Sequence, residues 1–146
     1  MRCYCWFNNV AIAVEKLRSE KLVSKVLIVD IDLRLGDGTR NIFAQAPEVV
    51  YYHLDSREGL EQCLEDNRDC DLVALSAGFD RHIEDWGKTL KTEDFAEIGK
   101  MIASYACDYC GGRYFAVLEG GYNQQVLADN VKAMLKGLDY KNHKLN

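Results

Sequence analysis

Four short apolar runs constrain this chain more than any other feature: "VLIVDI" (26–31), "VVYYHL" (49–54), "DLVALSAG" (71–78) and "YFAVLEGGY" (114–122). Runs of this length, rich in branched and aromatic residues, read as strands buried on both faces. The segments between them carry a helical period. "NNVAIAVEKLRSEK" (8–21) has Val10, Val14 and Leu17 behind an asparagine able to cap, and Ser56 is a possible N-cap for "REGLEQCLED". "TEDFAEIGKMIASYACDYC" (92–110) has Thr92 as a plausible cap, Glu93 and Asp94 at the positive end of the dipole, and a stripe of Phe95, Ile98, Ile102, Tyr105 and Tyr109. A last amphipathic helix carries Val126, Leu127, Val131, Met134, Leu135 and Leu138. This alternation predicts an α/β fold, three layers α/β/α around a mainly parallel sheet, with ligands bound at the carboxyl ends of the strands.

The unusual residues sit at those ends: Asp32 and Arg34 after the first strand, Asp80 in "SAGFD" after the third, Glu119 and Tyr122 in "LEGGYN" after the fourth. In "VLIVDIDLRLGDGTR" (26–40), Asp30, Asp32 and Arg34 alternate with apolar residues and share one side of an extended chain, before a glycine-bounded turn around Asp37. Two carboxylates suggest a metal site. The arginine argues the opposite, because a guanidinium keeps its charge and cannot be a ligand.

At 146 residues the chain is expected to form one domain, 1–146, with an ordinary globular composition, 48% hydrophobic and 28% charged. No apolar run is long enough to span a bilayer and no signal-peptide pattern is present, which predicts a cytoplasmic protein without membrane partners. A formal net charge of −5 without a basic cluster argues against nucleic-acid binding. The six cysteines, at 3, 5, 63, 70, 107 and 110, are expected as free thiols. Cys3, Cys5, Cys107 and Cys110 could form a four-thiolate zinc site, but the last pair falls inside a helical pattern, which favours packed thiols. His53, His82 and His143 read as ordinary hydrogen-bonded or surface histidines, His82 being the best placed as a ligand.

"NNVAIAV", "VLIVDIDLRLGDGTR", "LVALSAGFDRHIEDWG" and "VLEGGYN" together resemble the histone deacetylase and acetylpolyamine amidohydrolase superfamily, in its order and over nearly the whole chain. The resemblance implies an arginase/deacetylase-like fold and hydrolysis of acetyl-amide bonds at a zinc ion. By that resemblance Asp32 and Asp80 match two zinc ligands and Tyr122 the oxyanion-stabilising tyrosine. Asp30 matches a residue beside a structural monovalent cation, Asp37 a further supporting acid, and Gly120 and Gly121 the pocket loop. Arg34 stands in the place of the ligand histidine and Leu35 replaces a second histidine, so the family's "DxHHGDG" reads "DLRLGDG". The family's catalytic histidine pair lies upstream of a segment matched by "CYCWFNN" (3–9), so the chain is expected to lack that amino-terminal part.

A hydrolytic zinc site needs three protein ligands, an open position and a base. The chain is therefore expected to be a degenerate relative acting as a binding or structural module without a cofactor. The alternatives are one half of a split zinc amidohydrolase acting on acetyl-lysine or acetylpolyamine-like substrates, or a different activity built on the surviving acids and Tyr122. Arg34 is expected to pair with Asp32 or Asp80. The expected strand order puts "VLIVDI" at an apolar edge beside "YFAVLE", then "DLVALSA", then "VVYYHL". Such an edge favours a homo-oligomer or a complementary amino-terminal chain as partner.

Overall fold

The computed structural model describes residues 6–140. Four strands, β1 (Val26–Asp30), β2 (Val49–His53), β3 (Leu72–Ala77) and β4 (Tyr114–Leu118), form one parallel sheet in the order β2-β1-β3-β4. The order corrects the expected one. β1 is central, and the edges are β2 and β4. The physical reason is burial: all five β1 residues are buried, as a strand flanked on both sides requires, whereas β4 exposes Ala116 and Leu118, the latter to 58%. The connections obey the parallel-sheet rule that a crossover helix lies between successive strands.

Side-chain alternation divides the sheet into two apolar faces. Leu27, Val29 and Ile31 of the first run, with Val73, Leu75 and Ala77, pack under α3 (Arg57–Asp66), α4 (Thr92–Tyr109) and α5 (Gln124–Leu138). Val26, Ile28, Leu72 and Ala74 face α1 (Asn9–Ser19) and Phe43. The layers are thus α/β/α. Asn8 caps α1 by accepting from the Ala11 N–H (2.9 Å), and Ser56 caps α3 by accepting from the Gly59 N–H (2.9 Å). At α4 the cap differs from expectation. Lys91 is the N-cap, its N–H donating to Asp94 Oδ2 (2.7 Å), while the Thr92 hydroxyl turns inward and donates to Asn130 Oδ1 (2.8 Å).

Three local readings change. The turn after β1 contains a short helix, α2 (Asp37–Ile42), which leads into buried Phe43. Tyr109 and Leu135, read as core, are exposed because each lies at the margin of its helix's apolar stripe. Between α4 and α5 the backbones touch: a Cβ on Gly137 would lie 2.1 Å from the Ala96 carbonyl oxygen, and one on Gly99 2.6 Å from that of Met134. Among the described residues no helix is long and apolar enough to cross a membrane.

Candidate functional site

The register sets Asp30 opposite His53 on one side and Ser76 on the other, so the carboxyl ends of the strands are level and their loops meet. Asp30 is buried and held twice: the Tyr51 hydroxyl donates to Oδ2 (2.5 Å) and the Asp32 N–H to Oδ1 (3.0 Å). Burial raises its pKa against those bonds. The Tyr51 oxygen in turn accepts the Gly36 N–H (2.8 Å), and a Cβ at Gly36 would stand 2.7 Å from Asp30 Oδ2. The sequence alone does not single out Tyr51, because an inward-facing tyrosine on a strand looks like core.

Asp32 accepts the N–H of Arg34 on Oδ1 (3.0 Å) and of Gly120 on Oδ2 (3.1 Å). Asp80 is fully buried. Its Oδ1 accepts the Leu33 N–H (2.9 Å), while Oδ2 has no partner. Gly120 brings the two carboxylates together: a Cβ there would lie 2.4 Å from Asp32 Oδ2 and 3.0 Å from Asp80 Oδ2. Gly121 has φ +134°, a conformation only glycine adopts without strain. Burial raises the pKa of Asp80, with the charge of Asp32 adding to it, and raises that of Glu119 beside Asp30 and Asp32. Asp37 lies apart, exposed in the first turn of α2.

Arg34 corrects an electrostatic expectation. Among the described residues no ion pair joins it to Asp32 or Asp80; its guanidinium lies over the Trp86 ring, 5.0 Å from the centroid. Trp86 also stacks on Tyr122, with centroids 4.0 Å apart and planes at 17°. Both rings are about half exposed, 52% for Trp86 and 47% for Tyr122. Beneath them Asp85, 7% exposed, accepts the N–H groups of Tyr122 and Asn123 on Oδ2 and of Trp86 on Oδ1, each at 2.8 Å. Burial pushes the Asp85 carboxyl up, but these three N–H groups outweigh it and hold the pKa low. Asp85 and Trp86 escape a reading of the sequence because nothing local marks them; the loop after β3 brings them to Tyr122.

The two described histidines, His53 and His82, are hydrogen-bonded within the fold. His82 is buried, its Nδ1 accepting the Glu84 N–H (3.1 Å) and its Nε2 3.3 Å from the Thr92 hydroxyl, away from the carboxylates. His53 Nε2 lies 2.9 Å from the Asp32 carbonyl oxygen. His143 is outside the described residues, as are Cys3 and Cys5 of the four-thiolate alternative. Cys63, Cys70, Cys107 and Cys110 are free thiols, and buried Cys110 donates to the Cys70 carbonyl.

A profile of the histone deacetylase domain matches residues 1–59 and 56–138. The chain belongs to the histone deacetylase domain family. A probable deacetylase of Methanothermobacter thermautotrophicus is 30% identical over 93% of this chain and 53% of its own length. The polyamine deacetylase HDAC10 of Mus musculus is 30% identical over 92% of this chain and 27% of its own. Acetylpolyamine aminohydrolase from Burkholderia pseudomallei shares the fold, with TM-score 0.80 and 23% identity over 94% of this chain and 51% of that one. The chain thus spans about half, or less, of the length of these relatives.

Family membership implies zinc, and the residues present do not fit it. The orphaned Asp80 Oδ2 and the Asp32 Oδ2 both lie close to Gly120, but the donor set stops at two. Arg34 cannot be a ligand. Among the described residues no three His, Cys, Asp or Glu side chains gather closely enough to hold a metal ion. What remains is a group of acids with a buried acceptor to spare, at strand ends that also carry two exposed aromatic rings and a guanidinium.

Proposed function

We propose that this chain is a deacetylase-fold binding module that takes up an amine-bearing ligand at the Asp32/Asp80 cleft without hydrolysing it. The observation that carries the reading is Arg34, which stands where the family resemblance puts a ligand yet lies over Trp86, while Asp80 Oδ2 is buried without a partner. Asp30, Asp32, Asp80 and Glu119 attract a cation, and the Trp86 and Tyr122 rings suit an alkyl stem or an ammonium group. A polyamine, the class in the names of two of the relatives, has this chemistry. Calorimetric titration with an acetylated polyamine and an acetyl-lysine peptide tests it. Binding weakened by Asp32→Ala, with no turnover in added zinc, is expected; zinc-dependent turnover lost in Tyr122→Phe overturns it.

The sharper variant is Arg34→His, which returns the family residue to the third ligand position. It is expected to bind zinc more tightly than the parent while hydrolysis stays at background, because a metal without a positioned base activates water poorly. Zinc affinity no better than the parent's means that the ligand geometry, not only the ligand, has gone.

The edge of β4, unpaired among the described residues, favours a second reading, in which another polypeptide of the same fold completes the sheet and the cleft is one half of a split amidohydrolase. Inward, the Glu119 N–H donates to the Ala77 carbonyl (3.0 Å); the alternate main-chain groups of β4 face outward, beside exposed Ala116 and Leu118. An apolar edge without charge or proline invites a strand. Light scattering is therefore expected to give a mass above the 16.6 kDa of one chain, or a shift to higher mass with the partner. One chain's mass at every concentration, with no partner recovered, counts against an occupied edge.

A further inference from the structure

The guanidinium of Arg81 is surrounded by main-chain oxygen at the carboxyl ends of β1 and β2. Its Nε donates to the carbonyls of Ile31 (3.2 Å) and Asp32 (3.0 Å), a terminal nitrogen donates to that of Leu54 (2.8 Å), and the same nitrogen lies 3.2 Å from His53 Nε2. A parallel sheet leaves such carbonyls without strand partners where it ends, and each that is shielded from water needs a donor. Three of them gathered around one guanidinium, with the His53 ring nitrogen beside them, form an oxygen-rich cradle that suits a positive charge.

The cradle and Asp30 hold the same residue, Asp30 accepting the Asp32 N–H and Arg81 donating to the Asp32 carbonyl, and beside Asp30 the deacetylase resemblance implies a bound monovalent cation. These residues do not fit one, because the cradle already encloses a positive charge carried by the chain itself. We propose that the Arg81 guanidinium is a built-in cation, replacing a bound monovalent ion at the ends of β1 and β2 and holding the Asp32 backbone without any ion from solution. Arginine suits this role because it is planar, cannot lose its charge, and sends donors to several separate oxygens at once. Its own backbone is fixed. The Arg81 carbonyl accepts the N–H groups of Thr89 and Leu90 (2.9 Å each), and Gly87 packs so closely that a Cβ there would lie 2.7 Å from the Arg81 Cα. One rigid loop therefore delivers both Asp80, an acid of the cleft, and the charge that steadies Asp32. Arg81 acts through the Asp32 backbone and is a positioning residue. Its role is independent of which ligand the cleft takes.

Thermal unfolding at constant ionic strength tests it, with choline, sodium or potassium as the cation and millimolar guanidinium as an added probe. The parent midpoint is expected to stay within about 1 °C across choline, sodium and potassium. Arg81→Ala is expected to lose about 5–10 °C in choline and to recover at least half of it with potassium or guanidinium. Arg81→Lys, which keeps a charge but reaches fewer carbonyls, falls between and responds less to the salt. Three results overturn the inference: a parent stabilised by potassium over choline, an alanine variant that loses stability equally in every salt, or one that loses none. If the alanine variant does not fold, Arg81→Lys decides. A midpoint that rises with potassium supports the built-in cation, and one indifferent to the cation overturns it.

Discussion

Gly137→Ala lowers the unfolding midpoint by about 10 °C. The new methyl group would sit 2.1 Å from the Ala96 carbonyl oxygen, 2.9 Å from the Lys100 nitrogen and 3.0 Å from the Ala96 carbonyl carbon, all backbone atoms of α4 that cannot rotate aside. Overpacking costs about 1–3 kcal/mol when side chains can yield, and a clash with helix backbone lies at or beyond the top of that range. Alanine's helix propensity returns at most about 1 kcal/mol. In a chain of this size each lost kcal/mol moves the midpoint by about 2–4 °C, so a net loss of about 3 kcal/mol accounts for the shift. Gly38→Ala, whose Cβ would meet nothing closer than 4.0 Å, is the control and changes the midpoint by about 1 °C or less. Calorimetry reads both. Equal midpoints for the two variants would show that the helices cross less closely than described.

Asp85→Ala costs about 3 kcal/mol and changes the emission of Trp86. Hydrogen bonds to an ionised group contribute about 1.5–3 kcal/mol each, and three N–H groups lose their acceptor, with water replacing part of the loss. The stack of Trp86 on Tyr122 rests on the same loop, so a fluorescence change must accompany the loss of stability. The effect has a pH signature. A carboxylate whose pKa is held low in the folded state contributes stability above its ordinary value near 4, and that contribution disappears as pH falls through the lower folded value. The parent therefore weakens on acidification below about pH 4 more steeply than the alanine variant. Asp30, Asp80 and Glu119, with raised values, act in the opposite sense: their contribution to stability is fully present at acid pH and fades as pH rises through their folded values. Identical acid limbs for parent and variant, or an unchanged emission spectrum, would refute the role given to Asp85.

The strands and long helices were legible because burial imposes a period on sequence. Val26 to Val29 form an unbroken apolar run and Phe95 to Tyr105 a helical stripe. Strand order was not legible, since each strand announces its own burial but not its neighbour; the unbroken aliphatic "VLIV" against "YFAVL", which opens on a tyrosine and contains an alanine, was the available clue. The acids Asp32 and Asp80 and the glycine between them were found through motifs and do converge. Arg34 goes elsewhere than charge alone predicts. Charge opposition argued for a carboxylate, but a guanidinium over an indole gives up less hydration, and the indole arrives from 52 residues further along the chain. Arg81 was invisible for a different reason: its partners are main-chain carbonyls, which any sequence possesses.

One carboxylate joins two loops. Asp85 belongs to the segment after β3, where its Oδ1 accepts the Trp86 N–H, and its Oδ2 ends on the segment after β4, while the Asn123 side-chain amide crosses the other way to the Glu84 carbonyl at 2.7 Å. With Trp86 lying on Tyr122 and Arg34 on Trp86, three strand ends are riveted into a single rim. Each loop thus owes its placement to the other two, so that a change at Arg34, Trp86 or Tyr122 is felt at all three strand ends.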